Sequence, residues 1–207
     1  MTRRLYIHPD NPQARLIEQS VAVLRDGGLI VYPTDTTYAV GCGIGEKAAL
    51  DRLIRLRQLD DKHQFTLMCA DLSALATYAK VDNADYRLLK AHTPGPYTFI
   101  LPATTEVPRR LLHPKKRTIG IRVSGDPICQ ALLEALGEPI MTSTLWLPGH
   151  EHPEDDPEDA FERVEKHVDL FIDGGFRNLL ETTVVSLAEG EGPQLVRAGA
   201  GSVDTLF

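Results

Sequence analysis

The sequence contains no long apolar run. Stretches such as Leu29–Tyr32 and Val168–Ile172, the latter with an acid inside, fall far short of the roughly 20 residues that a membrane span requires. No membrane partner is expected. The start, Met1-Thr2-Arg3-Arg4-Leu5-Tyr6, has two basic residues but neither an apolar stretch of signal-peptide length nor a small-residue cleavage site, so a cytoplasmic location is expected. Cysteine is scarce: Cys42, Cys69 and Cys129 are an odd number at wide, irregular spacing, which argues against a disulfide framework or a zinc knuckle. Nothing flanks them as a nucleophile's base would, and small apolar side chains in a core are the simplest expectation. No Walker loop, Gly-x-Gly-x-x-Gly fingerprint, Gly-x-Ser-x-Gly elbow or His-Glu-x-x-His is present, so the standard nucleotide folds are not indicated. Repeats and low-complexity linkers are also missing.

What is present has the composition of a soluble globular protein. The 207 residues are 43% hydrophobic and 25% charged, and a chain of this size can bury about 70% of its unfolded surface without staples. A single domain over 1–207, with its core at about 14–200, is expected. The net charge of −7 disfavours indiscriminate attachment to nucleic acid, but the charges are unevenly distributed. Residues 109–122 hold Arg109, Arg110, Lys115, Lys116, Arg117 and Arg122 with no acid, whereas residues 151–165 hold eight acids against the single Arg163. An anionic ligand would favour the first stretch.

Helix and strand signals alternate. Asn11 as N-cap and Pro12 at the first helical position predict a helix with Ile17, Val21 and Leu24 on one face, stopped by Gly27-Gly28. A buried strand is expected over Leu29–Tyr32, then a helix carrying Leu50, Leu53 and Ile54, then a strand over Phe65–Cys69. Two short helices between Asp71 and Ala91 precede the breaker Thr93-Pro94-Gly95-Pro96 and a strand over Tyr97–Leu101. Over Thr118–Val123, Ile119, Ile121 and Val123 face one way and Thr118, Gly120 and Arg122 the other. Asp126-Pro127 opens a helix with Ile128, Leu132 and Ala135 that Gly137 ends. Strands at Pro139–Ser143, Val168–Ile172, Thr182–Leu187 and Gln194–Arg197, with an acidic helix from Pro157, complete an α/β domain on a twisted, mixed sheet.

Several residues could carry chemistry. Pro33–Tyr38 follows a buried strand and packs three hydroxyls, a carboxylate and a phenol into six residues. It is either a pocket wall, with Thr34 and Thr36 donating to a small substrate, or a turn bonding its own backbone. Arg55 and Arg57 diverge by about 200° on a helix, yet near its end both can turn toward one anion; the bland alternative is solvated helix charge. Arg122 lies on a buried strand and needs an anionic partner, either a ligand or a structural carboxylate. Gly120 beside it removes a side chain that would block ligand approach. His150 and His152 have weak metal-ligand spacing within an acidic loop, no third ligand is placed by periodicity, and no metal site is expected.

The run Gly27-Gly28-Leu29-Ile30-Val31-Tyr32-Pro33-Thr34-Asp35-Thr36-Thr37-Tyr38-Ala39-Val40-Gly41 resembles the opening of the YrdC-like family, which includes threonylcarbamoyl-AMP synthases. The resemblance continues through Thr93–Thr98, Thr118–Val123, Gly137–Ile140, Thr142-Ser143, Ile172–Gly175, Thr182–Val185 and Arg197–Gly199. It implies a single α/β domain with short helices around a concave, positively charged cavity. It also implies condensation of threonine, bicarbonate and ATP into threonylcarbamoyl-AMP and pyrophosphate for tRNA modification, with Mg²⁺ on the triphosphate and no permanently bound cofactor. By motif, Thr34, Arg122 and Thr182 would contact the amino acid, and Thr118, on the polar face beside Arg122, is expected to bind substrate with them. Arg55, Arg57, Ser143 and Arg197 would hold the nucleotide, Arg55 and Arg57 supplying charge stabilisation in place of a Lys-x-Arg clamp. Members are also described as binding double-stranded RNA, which assigns Arg109, Arg110, Lys115, Lys116 and Arg117 to an RNA surface on tRNA or rRNA.

Departures from the synthase pattern are specific. Arg55-Leu56-Arg57 stands for Lys-x-Arg, Ser143-Thr144-Leu145 for Ser-Ala-Asn, and Met68 for a histidine. These changes, with Thr66-Leu67-Met68-Cys69 and the end at Phe207, resemble the YciO branch and imply weak or altered synthase activity. Losing the Asn hydrogen bond weakens nucleotide binding by about 1–3 kcal/mol where it leaves a polar ligand atom unpaired. The alternative is a non-catalytic module holding duplex RNA through its phosphates.

Overall fold

Odd and even positions of a strand project to opposite faces of a sheet, and this chain gives the two sets different chemistry. The computed structural model describes residues 1–207. Ten strands form one mixed sheet: β1 Arg3–Tyr6, β2 Ile30–Pro33, β3 Tyr38–Gly43, β4 Thr66–Met68, β5 Tyr97–Pro102, β6 Thr118–Arg122, β7 Ile140–Thr144, β8 Leu170–Asp173, β9 Thr183–Ser186 and β10 Gln194–Arg197. The order across the sheet is β1-β8-β2-β3-β7-β4-β6-β5-β9-β10. Helices are α1 Ala14–Arg25, α2 Lys47–Arg57, α3 Leu72–Tyr78, α4 Asn83–His92, α5 Pro127–Leu136 and α6 Pro157–Val164. None is long and apolar enough to cross a membrane.

On one face, Val31, Val40, Leu67, Phe99, Ile121, Met141, Phe171 and Val185 join a continuous core with Leu50 and Leu53 of α2, Leu75 of α3, Leu89 of α4 and Val164 of α6. On the other face, Ile17, Val21 and Leu24 of α1 and Ile128, Leu132 and Leu133 of α5 cover Ile30, Tyr32, Met68, Ile140 and Ile172. That second cover stops part-way across. Beyond it the same face carries Thr66, Thr98, Ile100, Arg122, Thr142 and Val184, which border a cavity. The alternation expected over Thr118–Val123 is the alternation found: Ile119, Ile121 and Val123 enter the larger core.

Local chemistry sets the element boundaries. Asp126 caps α5 by accepting from the Ile128 and Cys129 amides, Pro127 occupies the first turn, and Gly137 ends the helix at φ 77°. Asp156 and Pro157 start α6 in the same way. At α1 the expectation needs correction, because the helix begins at Ala14 with Gln13 at the cap. The His8 Nδ1 accepts from the Asp10 and Asn11 amides, and Gln13 Oε1 accepts from His8, so a separate turn uses residues 8–13. Ala135 is exposed, and Leu133 and Leu136 take the core positions on α5. Strands β1 and β3 were not foreseen. Tyr38–Gly43 reads Tyr-Ala-Val-Gly-Cys-Gly, with two glycines and no alternation, because both of its faces are buried.

Gly120 also serves a purpose other than the expected one. It pairs with Thr66 on one side and Ile100 on the other. A Cβ at Gly120 would lie 2.5 Å from Thr66 Oγ1 and 3.0 Å from the Phe65 carbonyl oxygen. The glycine answers the close approach of β4, not the approach of a ligand. Gly120→Ala is expected to cost about 1–3 kcal/mol of unfolding free energy in urea denaturation. In a Thr66→Ala background the added cost should shrink, and an unchanged midpoint for the single variant would refute this account.

Candidate functional site

The uncovered part of the sheet is the floor of a cavity of about 560 Å³, a size suited to a small-molecule ligand. The floor is rich in threonine because Thr66, Thr98, Thr142 and Thr144 occupy the non-core positions of their strands. Three arginines from distant segments reach its lining, Arg57 at the end of α2, Arg122 at the end of β6 and Arg197 at the end of β10, together with the single acid Glu181. Ser143 and Thr182 of the sequence assignment line it as well. Arg55, Thr34 and Thr118 do not.

Each arginine has a different environment. Arg122 is buried and its Nη2 donates to Asp35 and to the hydroxyls of Thr34 and Thr36, at 3.1 and 3.0 Å. Asp35 in turn accepts from the Gly125 amide at 3.1 Å. A structural carboxylate is therefore the partner that the buried guanidinium required, while its buried Nε has no partner. Pro33–Tyr38 is mostly self-bonded: Thr34 Oγ1 donates to the Thr37 carbonyl at 2.6 Å and accepts from the Thr36 amide at 3.1 Å. Thr34 braces Arg122 and is not itself part of the wall. Arg197 pairs with Glu181 at 2.9 Å and donates twice to the Thr182 carbonyl.

Arg57 has no carboxylate partner. It donates to the Trp146 carbonyl and, from Nε, to Ser143 Oγ at 3.4 Å, and burial pulls its pKa below the ordinary guanidinium value. Arg55, two residues away from it, is exposed, as the 200° divergence on a helix dictates. Thr182 Oγ1 lies 2.8 Å from Thr98 Oγ1, and Thr118 donates to Gln64, which lines the cavity.

Sequence reasoning missed Thr98, Glu181, His63, Gln64 and Trp146. Thr98 and Ile100 were legible as the non-core set of a strand whose Phe99 and Leu101 are core. The others lie in loops, where no periodicity marks them. His150 meets Glu154 at 3.3 Å, His152 faces the Pro153 carbonyl, and no three His, Cys, Asp or Glu side chains are grouped around them. Burial pushes the thiols of Cys42 and Cys69 up to about 12 and also raises that of Cys129, so none is a ready nucleophile.

A family described as telomere recombination, the Sua5/YciO/YrdC family, matches residues 22–199. The chain belongs to this family. The YciO protein of Escherichia coli (strain K12) is 57% identical over 203 residues, 98% of each chain. Its crystal structure covers 100% of both chains with a TM-score of 0.96. A threonylcarbamoyl-AMP synthase of Stenotrophomonas maltophilia (strain K279a) is 30% identical over 172 residues, 82% of this chain and 91% of that one. The structure of P. abyssi Sua5 with L-threonine shares the fold at a TM-score of 0.87 and 24% identity, over 96% of this chain and 58% of that one.

Within the Sua5/YciO/YrdC fold, two of the three departures from the synthase pattern, Met68 and Leu145, are structural in this chain. Met68 and Leu145 are fully buried, one under α1 and α5 and the other in the larger core, and neither lines the cavity.

His63 supplies a pH signature. Burial, aided by the Arg57 guanidinium, pushes its imidazole down to about 4 from 6.5. Between pH 6.5 and about 4 the unfolded chain takes up a proton that the folded chain refuses, so stability present above pH 6.5 is lost as the pH falls. His63→Gln should therefore lose less unfolding free energy than the parent between pH 7 and 4.5, by about 2 kcal/mol. Parallel pH curves for the two proteins would contradict this.

Proposed function

We propose that the cavity binds a nucleotide beside a small amino acid and forms threonylcarbamoyl-AMP from threonine, bicarbonate and ATP, with reduced or altered activity. The observation that carries the proposal is Arg57, a partly buried guanidinium without an acid partner in a cavity that two other arginines share. A desolvated cation of this kind is stabilised by an incoming anion. Kinship with proteins named threonylcarbamoyl-AMP synthase supports the choice of that anion.

In this reading Arg57 and Ser143 take phosphate oxygens and Arg197 the nucleotide. Arg122, which lines the cavity, meets the amino acid carboxylate, and Thr182 with Thr98 meets its side chain. Arg55, being exposed, contributes only at long range. The threonine amine joins the carbon of bicarbonate with loss of water, and the oxygen of the resulting carbamate attacks the α-phosphorus of ATP while pyrophosphate leaves with the bond electrons. Such a step needs alignment of anions and neutralisation of charge more than covalent help. Mg²⁺ belongs to the ATP substrate, since the lining has one acid and that acid is paired with Arg197.

ATP should raise the melting temperature of the protein, and Arg57→Ala should abolish most of that rise, with affinity lower by about ten- to a hundredfold. Pyrophosphate release with all three substrates tests turnover. No thermal shift with ATP or AMP and no pyrophosphate above blank would overturn the reading.

A second reading, docking of double-stranded RNA in the cytoplasm, is favoured by Arg109, Lys115 and Arg117, which are exposed without an acid partner. Arg110 and Lys116 are engaged with Asp51 and Glu189. Binding to duplex RNA should fall by about tenfold or more between 50 and 200 mM salt and weaken in Lys115→Glu. Salt-insensitive or absent binding would discard it.

A further inference from the structure

One corner of the cavity is left unused by these roles. Trp146, the only tryptophan of the chain, and His63 both line it. Trp146 also borders Arg57, its carbonyl accepting from the guanidinium, and that guanidinium acts electrostatically on the His63 ring. We propose that Trp146 and His63 form a subsite for a planar heteroaromatic ring, the base of a nucleotide whose phosphate rests on Arg57. The inference rests on the nucleotide reading of the cavity and adds to it where the base goes and what selects it.

The chemistry of the two side chains points to a ring. The Trp146 indole N–H, its one polar group, donates to the His150 carbonyl at 2.8 Å. With that donor used, the half-buried indole has only π surface to offer a ligand, and the bond fixes the orientation of that surface. His63 is held edge-on to Phe65, with centroids 5.1 Å apart at 78°. Its imidazole stays neutral at physiological pH and so carries one donor and one acceptor. That pattern matches the edge of a base, whereas an imidazolium would present a second cation beside Arg57. An anion lacking a ring would leave the indole face unused.

Leu145, at the position where synthases carry an asparagine, is buried and contributes no hydrogen bond to the cavity. Stacking on the adjacent Trp146 is a substitute of a different kind. Because every base has a π face, stacking accepts many bases. The subsite therefore selects for the presence of a ring more strongly than for its identity.

Trp146 is its own reporter. The full chain is titrated with AMP, ribose 5-phosphate and pyrophosphate, following tryptophan emission and, in parallel, heat by calorimetry. AMP should change the emission, and the two ring-free ligands should not. Trp146→Ala should bind AMP about tenfold more weakly, Trp146→Phe should retain most of the affinity, and pyrophosphate affinity should be equal in all three proteins. That last measurement also reports that the variants are folded. His63→Leu should weaken AMP without affecting pyrophosphate. If AMP binds by calorimetry without changing the emission, or binds Trp146→Ala as it binds the parent, the subsite is refuted while the nucleotide reading stands. If calorimetry detects no AMP or ATP, both fall together.

Discussion

The pairing of Arg122 with Asp35 is the constraint on which the site depends. A guanidinium on a strand whose neighbours are all buried is too costly without an opposite charge. Asp35 supplies that charge from the turn between β2 and β3, and the Thr34 and Thr36 hydroxyls add two more acceptors. The pair thus ties the turn after β2 to the end of β6, two strands that are not neighbours in the sheet. Removing Asp35 would leave an uncompensated charge, a loss that typically reaches about 3–5 kcal/mol. The same pair also leaves the Arg122 Nε buried without a partner.

Around this pair, the covering of the sheet determines where a ligand can go. The larger core covers one face except at the edge strands β1 and β10, and α1 and α5 close only part of the other. The remaining strands keep the alternation of a half-buried sheet, but their non-core positions hold threonine and arginine in place of packing residues. Threonine suits both requirements, since its branched side chain fits a strand and its hydroxyl serves a polar ligand. The chain ends that bring Arg57 and Arg197 to the rim come from a helix terminus and an edge strand, where a long side chain can turn inward.

Much of this was legible in the residues. Ile119, Ile121 and Val123 against Arg122 announced a strand with one polar face, and Asp126-Pro127 with Gly137 announced the limits of α5. Other features depend on tertiary neighbours and leave no local trace. Gly120 resembles an opening for a ligand until Thr66 is seen beside it. Thr34 resembles a substrate contact until Arg122 claims it. Arg55 and Arg57 look equivalent in a motif, but helical geometry sends one to solvent and the other into the cavity. Trp146 and His63 lie on loops, whose placement is set by the Arg57 and His150 contacts and not by any period in the sequence. Resemblance to a family carried the assignment of function further than periodicity did.

The three thiols divide between the two cores: Cys42 on β3 and Cys69 just past β4 sit in the larger one, and Cys129 on α5 sits in the other, its Sγ 3.2 Å from the Pro33 carbonyl oxygen. Because all three are shielded, an alkylating reagent can reach each one only when its own region opens. The rates of their modification in the native protein would therefore report, residue by residue, whether the helical cover beside the ligand floor loosens independently of the main core or only when the whole molecule unfolds.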